Sequence, residues 1–204
     1  MEKRIRTAVL VSGGGTNLQA IIDRERAGEL PHAELALVLS SQEEAYALTR
    51  AEKAGIPAFA VSRQALGSQA AFEKALLEKL EEYRIEMIIL AGFLSILSPD
   101  FTARYEKRIL NVHPALIPSF CGEGFYGLKV HEAALARGVK ITGATVHYVN
   151  EIPDGGEIIA QKAVRVYPGD TPERLQKRVM RQAEWKLLPA AAETVAKRLS
   201  EERA

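Results

Sequence analysis

The amino-acid sequence predicts an α/β fold, in which a mixed, mostly parallel sheet carries helices on both faces. In the first half of the chain, short apolar runs rich in β-forming residues alternate with amphipathic stretches, which is the rhythm of a doubly wound parallel sheet. In the second half, β-rich runs at residues 141–148 and 158–166 have no helix between them. Because a Pro-Asp-Gly-Gly turn joins these runs, we expect them to pair antiparallel.

Four apolar runs predict the strands of the first half, and amphipathic segments predict the helices between them. The strands are expected at residues 5–11, 35–39, 59–61 and 87–91. The second helix should cover residues 43–54 and end at Gly55. In the next helix the apolar residues fall at spacings of four, four and three, namely at Phe72, Leu76, Leu80 and Tyr83.

The second half begins with a short strand at residues 109–112 and a long loop with glycines and aromatic residues at 120–127. Loops of this length are commonly functional. A helix at residues 130–137 follows and ends at Gly138. The final helical region starts at a Thr171 cap, and Pro189 is expected to kink or split it.

Composition limits the classes of protein that the chain can represent. Its 204 residues, 47% apolar and 26% charged, fit one globular domain over residues 1–204. Because 27 basic residues nearly balance 26 acidic ones, we expect no nucleic-acid or membrane partner. The single Cys121 excludes an intramolecular disulfide, and residues 1–6 lack the apolar segment of a signal peptide. A cytoplasmic location is therefore expected.

The glycine loop at residues 12–17 lies between the first strand and the first helix. It lacks the third glycine of a dinucleotide-binding fingerprint, since Leu18 stands there, and it lacks the Lys-Ser or Lys-Thr pair of a Walker loop. Its backbone N–H groups, with the side chains of Thr16 and Asn17, suit one phosphate monoester at a helix N-terminus. The alternative is a structural turn that Asn17 caps.

Asn111, His113 and Asp154 form the predicted catalytic group. Strand alternation places Asn111 and His113 on one face of the 109–112 strand, where prolines end it, and Asp154 follows in the Pro-Asp-Gly-Gly turn. An amine that attacks a carbonyl-level carbon needs an oxyanion donor, a proton carrier and a carboxylate. Asn111 can donate, His113 can carry a proton, and Asp154 is expected to raise the pKa of His113. Alternatively, the three residues serve only as strand-end and turn residues.

The remaining reactive side chains have simpler interpretations. His32, His131 and His147 are expected at the surface, at a helix start and in a strand, and no metal-ligand spacing relates them, so no metal is predicted. Cys121 has no base partner and is interpreted as a bystander.

Five ordered motifs resemble the phosphoribosylglycinamide formyltransferase family over nearly the whole chain: the segments at residues 12–22, 90–99, 111–118, 143–148 and 154–156. The resemblance implies a single Rossmann-like formyltransferase domain. It also implies formyl transfer from 10-formyltetrahydrofolate, a co-substrate, to the glycinamide amine of 5-phosphoribosylglycinamide in de novo purine synthesis. Small molecules would be the only partners, and the protein would be a monomer or a homodimer.

The same resemblance assigns roles residue by residue. The catalytic group would be the trio already named, and the ribonucleotide phosphate would bind Gly15, Thr16 and Asn17. Glu184 resembles a late glutamate that contacts this substrate. The residues that would bind folate, mainly through backbone groups, are Leu94, Ser95, Ile96, Leu97, Asn111, Asn150 and Asp154, with Gln69 as a further candidate.

The chain departs from the family pattern at several positions. Many members carry Arg where Ser95 stands and another near Gln69, and Trp185 replaces a common histidine. The run at residues 180–183 is one residue longer than the corresponding run in the family pattern. None of these changes affects the catalytic trio.

Two kinds of alternative function remain open, namely another enzyme of the formyltransferase superfamily and a binding protein without turnover. Formyltetrahydrofolate deformylase shares the Asn, His and Asp, but it normally carries an added regulatory domain, and methionyl-tRNA formyltransferase carries an added nucleic-acid-binding domain. A folate- or nucleotide-binding protein without turnover would retain ligand affinity and would tolerate replacement of His113.

Overall fold

In the computed structural model, which describes residues 4–203, seven strands form one sheet. The strands are β1 (Ile5–Val11), β2 (Ala33–Ser40), β3 (Ala58–Ala60), β4 (Met87–Leu90), β5 (Ile109–His113), β6 (Ile141–Tyr148) and β7 (Ile158–Arg165). Their order across the sheet is β3-β2-β1-β4-β5-β6-β7. The first five strands pair in parallel, and β6 pairs antiparallel with both β5 and β7. The predicted mixed sheet is confirmed. Residues 1–3 of the segment considered for a signal peptide lie outside the described residues.

In the part of the chain that the structure describes, eight α-helices connect and cover the strands. They are α1 (Thr16–Arg26), α2 (Tyr46–Ala54), α3 (Arg63–Leu66), α4 (Gln69–Glu82), α5 (Pro99–Arg104), α6 (Leu128–Arg137), α7 (Pro172–Val179) and α8 (Trp185–Glu201). The short helices α3 and α5 were not predicted, because four and six residues are too few to show an apolar period. Within residues 4–203, no helix is long and apolar enough to span a bilayer.

The core lies on both faces of the sheet, as the alternation in β1 shows. Val9 and Val11 pack into the cluster that includes α1, α2 and α8. Ala8 and Leu10 point the other way, into the cluster formed with α4 and α5. Because alternate side chains of β1 pack into two different apolar clusters, the sheet is covered on both sides. The predicted helices on both faces are therefore confirmed.

The prediction that Pro189 kinks or splits the final helix places the irregularity at the wrong residue. Helix α8 continues through Pro189, and the irregularity lies just before it, where Met180–Glu184 forms a π-helical segment between α7 and α8. Proline removes the hydrogen bond to the carbonyl four residues earlier, here that of Trp185, so the distortion falls in the preceding turn. A π segment also accommodates one extra residue in a helix, which fits the longer run at residues 180–183.

Candidate active site

The strand order reverses between β1 and β4, and the loops after these strands meet at that point. Ser12 N–H donates to the Gly92 carbonyl at 3.1 Å, and Leu94 N–H donates to Ser12 Oγ at 2.9 Å. Ser12 Oγ also lies 2.6 Å from Ser41 Oγ after β2. Open α/β sheets bind ligands in the crevice at such a switch point. The carboxyl end of β5, which bears His113, adjoins the same crevice.

The structure brings Asn111, His113 and Asp154 together. Asp154 Oδ2 lies 3.4 Å from His113 Nδ1, and Asp154 Oδ1 accepts a long hydrogen bond of 3.4 Å from Asn111 Nδ2. His113 is 4% exposed, while Asn111 and Asp154 are partly buried and open to the crevice. Asn111 and His113 share one face of β5 as predicted. This convergence is more than an isolated strand-end cap and an isolated turn would produce.

His147 belongs to this group and was missed by the sequence interpretation, which placed it only in a strand. It stands opposite Asn111 in the β5–β6 register, with its Nε2 3.2 Å from Asn111 Nδ2 and 3.4 Å from Asp154 Oδ1. The Tyr148 carbonyl lies 2.8 Å from Nδ1, so Nδ1 carries a proton, and Nε2 donates to Asp154 when it is protonated as well. Combining the antiparallel pairing with the position of Asn111 would have identified His147 as its neighbour.

The predicted effect of Asp154 is confirmed, because its charge raises the pKa of His113, but the net pKa is lowered by other causes. Burial lowers the pKa of His113, and the nearby His147 adds to this. The charge of Asp154 and the Phe120 carbonyl both act to raise this pKa, but burial outweighs them, so the pKa lies below its ordinary value. His113 is therefore mainly neutral at pH 7, and its Nε2–H donates to the Phe120 carbonyl at 2.7 Å.

Asp154 is held as a carboxylate by its surroundings. Burial raises its pKa, but hydrogen bonds from His147 and from the Gly122 N–H, together with the charges of His113 and His147, more than offset this and lower it overall. The Gly122 N–H lies 2.9 Å from Oδ2. Asp154 itself has a positive φ of 55° in the turn before β7. The turn also requires Gly156, whose Cβ would lie 1.8 Å from the Tyr148 carbonyl oxygen.

The glycine loop enters α1 through Gly15. This residue is the N-cap in the left-handed region with φ 70°, and a Cβ there would lie 2.6 Å from Ala47 Cβ. Thr16 and Asn17 are the first residues of the helix. The alternative reading that Asn17 caps the helix is wrong, since it lies inside the first turn. The free backbone N–H groups of that turn remain available to an anion.

The Asn17 side chain is bonded to Glu184 and does not face the anion site of the glycine loop. Its Nδ2 donates to Glu184 Oε2 at 2.7 Å, while its Oδ1 is buried without a hydrogen-bond partner. Glu184, at the end of the π segment, is 6% exposed. Burial raises the pKa of Glu184 to about 7, although the hydrogen bond from Asn17 acts in the opposite direction. The glycine loop and the last helical region therefore form one site, although Asn17 and Glu184 are separated by 167 residues in sequence.

The loop after β4 presents an apolar surface beside the trio. Leu94 and Ile96 are 66% and 71% exposed, whereas Leu97 is buried and can offer only its backbone to a ligand. Gln69 does not present a free amide, because its Nε2 donates to Glu73 Oε1 at 2.6 Å and to the Ile96 carbonyl at 3.0 Å. Gln69 therefore braces this loop.

The loop before β7 closes the other side of the same region. Asn150 Oδ1 accepts from the Ile152 N–H at 3.0 Å, an Asx-type turn that shapes residues 150–154. Ile152, 57% exposed, adds to the apolar surface.

The other reactive side chains lie outside the trio. His32 pairs with Glu193, so it is less exposed than expected. His131, near the start of α6, is fully buried, and burial, with a smaller effect of His113, lowers its pKa to about 4. Burial raises the pKa of the Cys121 thiol. In the described part of the chain, no cluster of three or more His, Cys, Asp or Glu residues could hold a metal ion.

Residues 5–192 match the family described as formyl transferase. The chain is 39% identical to phosphoribosylglycinamide formyltransferase of Haemophilus influenzae, over 90% of this chain and 84% of that protein. It is 44% identical to the trifunctional purine biosynthetic protein adenosine-3 of Gallus gallus, over 95% of this chain but only 18% of that much longer relative.

Solved structures show the same relationship. The crystal structure of phosphoribosylglycinamide formyltransferase from Brucella melitensis superposes with a TM-score of 0.87 at 42% identity, covering 95% of this chain and 96% of that one. Glycinamide ribonucleotide transformylase 1 from Symbiobacterium toebii gives a TM-score of 0.88 at 40% identity, covering 95% and 88%. The chain therefore belongs to the formyl transferase family, among the phosphoribosylglycinamide formyltransferases.

Proposed function

We propose that the protein transfers the formyl group of 10-formyltetrahydrofolate to the glycinamide amine of 5-phosphoribosylglycinamide. The products are N-formylglycinamide ribonucleotide and tetrahydrofolate, and the reaction is a step of de novo purine synthesis. The observation that carries the proposal is the convergence of Asn111, His113 and Asp154 between a phosphate-type loop and an apolar loop. The family membership supports the same reaction.

In the reaction, the substrate amine attacks the formyl carbon, and a C–N bond forms while the carbonyl oxygen becomes an oxyanion. Asn111 Nδ2 donates to this oxygen without changing its own protonation. Collapse of the intermediate breaks the bond between the formyl carbon and folate N10. The proton lost by the amine ends on N10, and no metal is required.

His113 and Asp154 handle the proton. Burial keeps His113 neutral before the reaction, but an oxyanion beside it favours the imidazolium, because opposite charge stabilises the cation. Asp154 lies 3.4 Å from His113 Nδ1 and holds that cation. For His113 Nε2–H to reach the substrate, the Phe120 carbonyl that now accepts it must be displaced.

The ribonucleotide would bind along the start of α1. Backbone N–H groups of Gly15, Thr16 and Asn17 hold the phosphate. Glu184 accepts from a sugar hydroxyl, and the Asn17 side chain orients Glu184 rather than binding phosphate itself. A hollow of about 280 Å³ next to this turn, lined by Thr16 and Trp185 among others, gives the site further room.

The folate would lie against Leu94 and Ile96, with its pterin meeting backbone groups of the loop through Ser95 and Leu97. The loop from Asn150 to Asp154 would cover the opposite side. Gln69 supports this site indirectly through the Ile96 carbonyl.

The decisive experiment follows formyl transfer from 10-formyltetrahydrofolate to 5-phosphoribosylglycinamide, with water as the only acceptor in a parallel reaction. We expect folate product only when the ribonucleotide is present. His113→Ala should abolish the transfer, while His32→Ala, a distant histidine, should leave it intact. Folate product without the ribonucleotide would instead identify a deformylase, and bound ligands without any product would identify a binding protein.

A further inference from the structure

A buried carboxylate, that of Glu73, lies beside the loop after β4 and takes no part in the reaction described above. Glu73 belongs to α4 and is 8% exposed. In the described part of the chain no ion pair reaches it. The lysines of the same helix pair with other glutamates, Lys74 with Glu78 and Lys79 with Glu82. Because burial of a carboxylate without a cation is costly unless hydrogen bonds satisfy its oxygens, the partners of Glu73 indicate what it stabilises.

Ser98, at the end of this loop, supplies two of those hydrogen bonds. Its backbone N–H donates to Glu73 Oε1 at 2.6 Å, and its hydroxyl donates to Glu73 Oε2 at 2.5 Å. The same hydroxyl accepts from the Phe101 N–H at 3.2 Å, because Ser98 is the N-cap of α5. Hydrogen bonds to a carboxylate are stronger than those between neutral groups. Glu73 therefore fixes the point at which the loop enters α5.

A third hydrogen bond connects Glu73 to the middle of the loop. Gln69 Nε2 donates both to Glu73 Oε1, at 2.6 Å, and to the Ile96 carbonyl, at 3.0 Å. The start of the loop is held separately, since the Leu94 N–H donates to Ser12 Oγ at 2.9 Å. The loop is thus fixed on the β1 side by Ser12 and on the α4 side by Glu73.

The backbone between these fixed points is what the proposed folate site presents to its ligand. Within residues 4–203, the N–H groups of Ser95 and Leu97 donate to no other protein group. Such groups bind a ligand tightly only when the loop already has its bound conformation, because ordering the backbone on binding costs entropy. We propose that Glu73 is a positioning residue for the co-substrate, which preorganises the loop after β4 and thereby raises the affinity for 10-formyltetrahydrofolate. This inference rests on the proposed function.

The test combines steady-state kinetics with titration of 10-formyl-5,8-dideazafolate, a stable folate analogue. Glu73→Ala removes all three hydrogen bonds. We expect the dissociation constant of the analogue and the Michaelis constant for 10-formyltetrahydrofolate to rise about five- to thirtyfold, the size expected when the backbone of about one residue must be ordered on binding. The kcat and the Michaelis constant for the ribonucleotide should change less than about twofold, because Glu73 acts only through the loop after β4.

Two further substitutions of Glu73 separate hydrogen bonding from side-chain size. Glu73→Gln keeps the Oε1 acceptor, and its new amide can donate to Ser98 Oγ, so the affinity for the analogue should return to within about threefold of the wild type. Glu73→Leu has a similar volume but no acceptor, and it should bind the analogue as weakly as Glu73→Ala does. Glu78→Ala, which replaces an exposed glutamate of the same helix, is the control for net charge.

Two measurements distinguish positioning from a loss of stability. Leu199→Ala removes a buried side chain of α8, so it should lower the free energy of unfolding and leave the affinity for the analogue unchanged. Ser98→Ala should weaken binding of the analogue about two- to fivefold by itself. In the Glu73→Ala background it should add little, because both substitutions break the same contact. Ser98→Ala carries the same test if Glu73→Ala does not fold.

The inference and the proposed function fail separately. Equal rises in the Michaelis constants of both substrates, or wild-type affinity of Glu73→Ala for the analogue, would overturn the inference. If the wild-type protein binds the analogue but transfers no formyl group, the proposed function is wrong, and the titrations still decide the role of Glu73. If transfer proceeds normally and Glu73→Ala shows the wild-type Michaelis constant for folate, only the inference about Glu73 is wrong.

Discussion

Asp154 is the residue on which the catalytic group converges, since His113, His147 and Asn111 all approach its two oxygens at 3.4 Å. Asp154→Asn keeps the size of the side chain and removes its charge. We expect kcat to fall by about 10²–10⁴, the contribution of an acid–base group, with little change in substrate binding. Steady-state kinetics and ligand titration measure the two effects. Asp100→Asn on α5 is the control, and a variant with near-normal turnover would refute the catalytic assignment.

In the proposed mechanism His147 acts through its neighbours Asn111 and Asp154, so its loss should have a different signature. His147→Gln removes a hydrogen bond that lowers the pKa of Asp154, and that pKa should therefore rise. The acid limb of the kcat profile should move to higher pH, while activity above pH 8 falls about tenfold or less. A pH–rate series from pH 5 to 9 measures this. A uniform loss at every pH would indicate a purely structural role.

At the scale of residues, strand alternation identified the polar side chains of the site. It did not predict their pKa values or their long-range hydrogen bonds. Asn111 and His113 could be placed on one face because the period of a strand is fixed. The net pKa of His113 could not be predicted, because it depends on how many atoms bury the ring, and only the folded structure contains that information. The bond from Asn17 to Glu184 was missed for the same reason, since no local pattern relates residues so far apart.

At the scale of elements, the turn from β1 into α1 depends on Gly15. Gly15→Ala forces an L-residue into φ 70° and drives its Cβ toward Ala47. We expect a loss of about 1–3 kcal/mol in the free energy of unfolding, together with a raised Michaelis constant for the ribonucleotide. Denaturant unfolding and kinetics measure these effects. Gly14→Ala is the matched control, because a Cβ there meets nothing within 4 Å. Equal effects of the two variants would contradict the role of Gly15.

Element prediction succeeded where a period was long enough to read. Strand β1 and strand β6 have the predicted bounds, and α4 matches its apolar spacing. Helix α2 begins at Tyr46 rather than at residue 43, since no capping side chain marks its start. The π-helical segment was not predicted from the sequence, because a widened helical turn has no residue pattern of its own. The extra residue in the run at 180–183 was the one indication of it.

At the scale of the whole molecule, Glu184 links stability to pH. Its pKa is raised in the folded state from an ordinary 4.5 to about 7, so the unfolded chain ionises it first. Protonated Glu184 therefore stabilises the folded state below pH 4.5, and this contribution is lost as pH rises to 7, by at most about 3.5 kcal/mol at about 1.4 kcal/mol for each pH unit. The Glu184→Gln side chain cannot ionise. Relative to that variant, the free energy of unfolding of the wild type should fall between pH 4.5 and 7 and stay constant above pH 7.

Chemical unfolding of the wild type and the Glu184→Gln variant between pH 4.5 and 8 measures this difference. The matched control is Glu132→Gln, because Glu132 is an exposed carboxylate on α6. A difference between wild type and Glu184→Gln that does not change with pH would mean that folding does not raise the pKa of Glu184.

The contact between Asn17 and Glu184 has a consequence for the order in which the protein is made. Asn17 leaves the ribosome well before Glu184 is synthesised, and within residues 4–203 the buried side-chain amide of Asn17 has no hydrogen-bond partner other than Glu184. A nascent chain that ends before residue 180 already contains every residue of the trio, but it lacks Glu184, the hydrogen-bond partner of Asn17. Under the role proposed for Glu184, ribonucleotide binding therefore requires synthesis up to residue 184, which comes after the catalytic group along the chain.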